Sequence, residues 1–165
     1  MLGLKEQIII RKSISRILPV ANAAVFIFFS KLYEMDPDLK CMMKISDEAG
    51  ERKYFGILVF LINRMDSIDS GFPLLEELAA NCILQGMKEK HFVVLGQAFY
   101  WTLAQTLRSA FTEEVKNAWK NFILEICNCF YPGLHIDWEG KGLGNDTFET
   151  VQRSGVPFGF KTANS

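Results

Sequence analysis

The chain has 165 residues, of which 49% are apolar, and its formal net charge is -1. A chain of this length and composition can bury one core and is most simply one domain. The small net charge argues against nucleic-acid binding, which depends on clustered Lys and Arg.

The rest of the composition predicts a soluble, cytoplasmic protein. An uncharged run, Ile17 to Ser30, is shorter than the roughly 20 residues of a transmembrane helix, so we expect no membrane span. The first residues include Glu6 and lack a small-residue cleavage pattern, so no secretory signal is predicted. Four cysteines in a chain with so large a core do not predict a disulfide framework, and reduced thiols favour the cytoplasm.

Helical periodicity begins near the start of the chain. Apolar residues recur at spacings of three and four over residues 4–18, which predicts a helix that Pro19 ends or kinks. A second helix is predicted over residues 20–33. Asp36-Pro37 should stop it, because the residue before a proline is pushed out of the helical region.

The middle of the chain is predicted to hold one short helix and two longer ones. The short helix covers residues 37–43, and Ser46 or Asp47 is expected to cap the next. After a polar turn, Pro73 is expected to begin a helix that Gly86 ends in the left-handed conformation. One face of that helix carries Leu75, Leu78, Ala79 and Cys82. The cysteine sulfur should therefore point inward with the leucines.

Two further helices are predicted before the composition changes. One covers residues 89–109, and Thr112 is expected to cap the last, with Glu113 and Glu114 near its positive end. Strand alternation is absent from the sequence, so we predict an all-α fold. The Gly-rich residues 133–165 have no long periodic pattern. Their large apolar groups could pack onto the helical body or onto a partner; they are Trp138, Phe148, Phe158 and Phe160.

Three stretches carry a family resemblance. They are Phe28-Phe29-Ser30-Lys31-Leu32-Tyr33-Glu34-Met35-Asp36-Pro37-Asp38-Leu39-Lys40, Met65-Asp66-Ser67-Ile68-Asp69 followed by Leu74 to Cys82, and Thr112-Glu113-Glu114-Val115 with Ala118-Trp119. Their order resembles the globin superfamily, particularly bacterial haemoglobins, flavohaemoglobins and neuroglobin, over about residues 8–130. The resemblance implies a globin-like fold of six to seven crossing helices over residues 1–131, followed by an irregular C-terminal extension over residues 132–165.

The same resemblance implies a set of haem-pocket positions. Cys82 takes the place of the proximal histidine, which is the iron ligand of the family, and Gly50 takes the place of the distal histidine or glutamine. Met43 replaces the phenylalanine that packs against haem. The implied wall positions are Phe29 and Tyr54 on the distal side, and Leu78, Met87, Phe92 and Leu95 on the proximal side.

Cys82 leaves two functions open. As a thiolate it could bind haem iron, which would suit redox chemistry or the sensing or binding of diatomic gases such as O2, NO or CO. As a structural residue it would be a small apolar filler. In that case the protein would be a haem-free binding or scaffold module that holds another apolar ligand or docks a protein partner through residues 133–165.

Other chemistry-bearing residues receive simpler interpretations. Tyr54 could donate a hydrogen bond to a bound gas, or it could be a core aromatic residue. His91 is expected near the edge of the pocket, either partly exposed or in contact with a pocket residue, and not as the iron ligand. Cys127 and Cys129 diverge by about 200 degrees on a helix, which indicates core and boundary positions. No Ser/His/Asp set or carboxylate pair is legible, so an enzyme is the least favoured function.

Overall fold

Seven α-helices make up the part of the chain that the computed structural model describes, namely residues 2–45, 47–63 and 68–138. The helices are α1 (Leu4–Ile17), α2 (Ala21–Met35), α3 (Asp38–Met42), α4 (Glu48–Asn63), α5 (Ile68–Leu84), α6 (Glu89–Leu107) and α7 (Glu113–Phe130). Short 3-10 turns follow α1 at Leu18–Val20 and α6 at Arg108–Ala110. These described residues contain no strand, and the predicted all-α fold is confirmed.

Several helix ends follow from single residues. Asp36 is extended (φ -146°, ψ 94°) before Pro37, so α2 ends there as predicted. The Asp47 carboxylate accepts the N–H of Gly50 at 2.9 Å and caps α4. Gly86 has φ 88°, the left-handed conformation expected after α5. The predicted end of α2 before Pro37 and the predicted end of α5 at Gly86 are therefore confirmed. The predicted Asp47 cap of α4 is confirmed as well.

One predicted helix start is wrong, and one predicted N-cap lies at the expected position but lacks the expected side-chain hydrogen bond. Helix α5 begins at Ile68, not at Pro73, so the proline lies inside the helix. An interior proline removes one backbone hydrogen bond, and its ring crowds the carbonyl four residues earlier, so it destabilises the helix but does not always end it. Thr112 occupies the N-cap position of α7, but its side chain makes no capping hydrogen bond. Its backbone carbonyl accepts the N–H of Lys116 at 2.9 Å instead.

The helices cross around an aromatic core. Helix α2 packs chiefly against α6, while α1 and α5 pack chiefly against α7. A series of ring contacts joins α2, α6 and α7. The centroid distances are 6.0 Å from Phe28 to Phe99, 5.7 Å from Phe99 to Trp119 and 5.7 Å from Trp119 to Phe122. Trp119 is fully buried. These rings place the interior of the molecule between α2, α6 and α7.

Residues 131–138, called the C-terminal strap below, pack back along α6. Leu134 and Ile136 are buried, and the Trp138 ring lies 5.2 Å from the Tyr100 ring between centroids, at an interplanar angle of 51°. The Gln97 amide donates to the Asp137 carbonyl at 2.6 Å. Part of the predicted irregular extension therefore belongs to the helical body. Its other aromatic residues, at positions 148, 158 and 160, lie outside the described residues.

One stretch, Leu4–Met35, is long and apolar enough to cross a membrane by length and composition alone. Core helices of soluble proteins meet the same test, and this stretch is divided into α1 and α2 by the turn at Pro19. Only 33% of its most apolar part is buried inside the fold. The absence of a membrane span stays a prediction.

Candidate ligand pocket

A cavity of about 200 Å³ lies between α2, α4, α5, α6 and α7. All but one of the predicted site residues line it: Phe29, Met43, Tyr54, Leu78, Cys82, Met87, Phe92 and Leu95. Among the described residues, the lining includes no charged side chain and no histidine. The walls are thus suited to a hydrophobic ligand.

Cys82 brings a sulfur atom into this cavity from α5. It is half-buried and lies one turn after Leu78, so both residues face the interior from the same side of the helix. Burial raises the pKa of the Cys82 thiol, because a thiolate is poorly solvated in apolar surroundings. The sulfur is therefore protonated at neutral pH in the absence of a bound cation.

Tyr54 is the polar group that α4 contributes to the cavity. Burial raises the pKa of its hydroxyl, and the second cause is the nearby Cys82. Both side chains line the cavity, Tyr54 from α4 and Cys82 from α5. The hydroxyl stays protonated at neutral pH and can donate a hydrogen bond.

Gly50 is the predicted site residue that does not line the cavity. It lies in the first turn of α4, where its N–H is held by Asp47. A Cβ atom at this position would approach Ile45 Cγ2 to 3.1 Å, so a side chain here would point towards Ile45. The first pocket residue of α4 is therefore Tyr54, one turn later.

His91 lies outside the cavity lining and is buried, with 1% of its surface exposed. Its Nδ1 accepts the N–H of Lys88 at 2.8 Å, and its Nε2 lies 3.7 Å from Asp36 Oδ2. The expectation of a partly exposed histidine was wrong, because the imidazole is used to cap the start of α6. Its Nε2 makes no hydrogen bond within the described part of the chain, and neither Lys88 nor Asp36 lines the cavity.

Helix α7 contributes pocket residues that sequence reasoning did not assign. They are Ile123, Ile126, Cys127 and Phe130. Burial raises the pKa of Cys127 to about 12, so this second thiol is not available as an anion near neutral pH. The apolar repeat of α7 marks these residues as buried but carries no information about which helix they meet.

The fold and the pocket together define an all-α protein with an apolar ligand cavity between crossing helices. The globin family model matches residues 27–129, which is more than half of the chain, and the chain belongs to the globin family. No curated protein matches it.

Among solved structures, the chain is similar to a hexacoordinated haem protein from an anhydrobiotic tardigrade, determined at pH 4. The TM-score is 0.70 and the sequence identity is 17%, with 78% of this chain and 92% of that chain covered. This likeness confirms the globin fold.

Proposed function

We propose that this globin binds haem in the cavity, where the Cys82 sulfur would hold the iron, and that it acts in redox chemistry or in the sensing or binding of diatomic gases. The observation that carries the proposal is that Cys82 faces an apolar cavity from α5, the helix that bears the proximal ligand in the family resemblance. Family membership and the haem-protein neighbour support the same cofactor.

The residues present fit haem in two respects. The apolar walls suit a flat hydrophobic ring, and a cysteine thiolate is an established axial ligand of haem iron. Haem, when bound, supplies iron for electron transfer and for binding small gases.

Each pocket residue then has a distinct task. Cys82 would hold the group through its sulfur after losing its proton, because only the thiolate is a metal ligand. Tyr54 would offer its hydroxyl as the hydrogen-bond donor on the α4 side. Phe29, Met43 and Phe92, all buried, would exclude water from the cavity.

Haem titration of the purified protein tests the proposal. We expect a Soret band displaced from that of histidine-ligated globins. Cys82→Ala should weaken haem binding by at least about 100-fold. Loss of a residue that only hydrogen-bonds to a metal ligand already costs about 10–100-fold in metal affinity, and loss of the ligand itself should cost more. Cys41→Ala is the matched control, because that cysteine is exposed and outside the cavity. Unaltered spectra and affinity in Cys82→Ala would exclude cysteine ligation.

Cys82→His provides a second comparison. An imidazole at this position should move the Soret band to that of a histidine-ligated globin while retaining binding. If neither the natural protein nor this variant binds haem, the cavity does not hold haem at all.

A second candidate is a haem-free globin that holds another apolar ligand. It is favoured by the protonated state of the Cys82 thiol and by the uncharged lining, which offers no cation for the carboxylates of haem. An absorption spectrum of the protein as isolated, with mass spectrometry of extracted small molecules, separates the two. A lipid-like compound in the absence of a Soret band would favour this candidate.

The haem-free globin could also act by docking a protein partner through the C-terminal extension, residues 132–165. Leu134 and Ile136 are buried, so removal of residues 133–165 would also open the core. Removal of residues 139–165 leaves the C-terminal strap intact and is the cleaner test. Unchanged partner association after that truncation would argue against docking through the tail.

A further inference from the structure

Exposed apolar side chains gather at the corner where α1 meets α2. Leu18 is 48% exposed, Val20 44% and Phe26 69%. Leu18 and Val20 lie in the turn around Pro19. Phe26 lies one turn after the exposed Asn22, on the outward side of α2. Together with the exposed basic residues Lys12 and Arg16 at the end of α1, these three apolar residues form the corner patch.

The stretch of chain that carries the corner patch has charges of one sign. The sequence contains no Asp or Glu from Gln7 to Tyr33, and its charged residues there are Arg11, Lys12, Arg16 and Lys31. Lys31 is buried and bonded to Glu34 at 3.1 Å, so it belongs to the interior side of α2. The exposed positive charge therefore lies at the α1 end of the corner, directly before Leu18.

The corner patch is not required by the core. Helix α1 buries Ile10, Ile14 and Ile17, and α2 buries Val25 and Phe29 on their inner faces. The most apolar part of this stretch is nevertheless only 33% buried. If α1 and α2 spanned a bilayer, their inner faces would have to leave the core. A contact with the bilayer surface does not require this. The exposed side can enter an interface while the fold stays intact.

We propose that the corner patch docks this globin onto an anionic lipid surface. Exposed apolar side chains beside Lys and Arg, without acidic neighbours in the sequence, have the composition of an interfacial membrane contact. Leu18, Val20 and Phe26 would enter the boundary between headgroups and acyl chains. Lys12 and Arg16 would bind lipid phosphates and carboxylates. This contact is independent of haem, since none of the five residues lines the cavity.

Vesicle flotation with the full chain tests the contact. We expect binding to vesicles of phosphatidylcholine and phosphatidylserine at low salt, and weak or no binding to pure phosphatidylcholine. Phe26→Ser should reduce binding about tenfold, because an interfacial phenylalanine is lost. Leu84→Ser is the matched control, because Leu84 is 84% exposed at the end of α5, outside the corner patch. It should bind like the natural chain.

The double variant Lys12→Gln/Arg16→Gln tests the charge separately. Each basic side chain near an anionic surface contributes about fivefold to binding, so we expect a loss of about 25-fold that vanishes at high salt. Circular dichroism checks that both patch variants keep their helicity. The double variant leaves the apolar residues in place if Phe26→Ser fails to fold.

Three results would overturn the proposal. One is the absence of binding to anionic vesicles, and another is equal binding by the natural chain and both patch variants. The third is a concentration-dependent dimer that Phe26→Ser converts to a monomer, which would assign the corner patch to a second copy of the chain. Haem titration of the same variants should be unchanged, so failure here is distinguishable from failure of the proposed function.

Discussion

At the scale of single residues, the Cys82 thiol should make haem binding depend on pH. Burial raises its pKa, so the proton is present over the neutral range and must leave when a metal binds. Apparent haem affinity should therefore rise about tenfold per pH unit through neutrality, because each unit makes the thiolate ten times more available. Haem titrations between pH 6.5 and pH 8.5 measure this slope.

The Cys82→His variant is the control for that slope. An imidazole has an unperturbed pKa of about 6.5, so its affinity should level off above neutrality. A flat profile for the natural chain together with tight binding would indicate a ligand other than this thiol.

The four cysteines should differ in their reactivity towards alkylating reagents. All four are free; Cys41 is exposed, whereas Cys127 is buried with a pKa of about 12. Because the thiolate is the nucleophile, Cys41 should react first and Cys127 last, with Cys82 slower than Cys41. Timed iodoacetamide labelling with peptide mass spectrometry gives the order. Fast labelling of Cys127 in the folded protein would contradict the burial described for α7.

At the scale of elements, the C-terminal strap depends on a glycine in α6. A Cβ added at Gly96 would lie 2.8 Å from Ile136 Cδ1 and 3.1 Å from Ile123 Cγ2. Glycine therefore permits Ile136 to pack against the helix backbone. Gly96 also lines the cavity, so Ile136 sits behind the α6 wall of the pocket.

Ile136→Ala should reduce the free energy of unfolding by about 2 kcal/mol, at the low end for such substitutions because the strap can partly collapse. Gly96→Ala should be less destabilising in that variant than in the natural chain, because its methyl group no longer meets Ile136, although Ile123 Cγ2 still lies 3.1 Å away and must shift. Urea denaturation of the natural chain, both single variants and the double variant measures the coupling. Additive effects would show that the two residues do not share this space.

Element boundaries were predictable where one residue decides them. Asp36-Pro37 and Gly86 ended their helices as expected, because each acts through its own backbone geometry. Pro73 was misleading. A proline permits a helix start but does not require one, and here it lies inside a helix that begins at Ile68.

At the scale of the whole molecule, ligand binding should raise the free energy of unfolding. A group that binds only the folded state stabilises it by about 2.7 kcal/mol at 100 times its dissociation constant. For a domain of this size that corresponds to a rise in melting temperature of roughly 5–11 °C. Thermal unfolding followed by circular dichroism, with and without one equivalent of haem, measures the shift.

Cys82→Ala should lose most of that rise, whereas Cys41→Ala should keep it. A similar rise in both variants would mean that haem binds through the apolar walls without cysteine ligation. No rise in the natural chain would favour the haem-free candidate.

The sequence by itself determined the number and order of the helices, most of their ends and the side of α5 that carries Cys82. These features depend on spacings of three and four residues and on local proline, glycine and capping chemistry. The globin resemblance added eight residues that line the cavity, and Gly50, which does not.

Only the tertiary structure decided which faces meet. The contribution of α7 to the cavity, the burial of His91 beside Asp36 and the packing of Ile136 on Gly96 all join residues far apart in the chain. Periodicity identifies an apolar face but carries no information on the helix that will cover it. Crossing geometry and shape complementarity determine that pairing, and both arise when the helices pack.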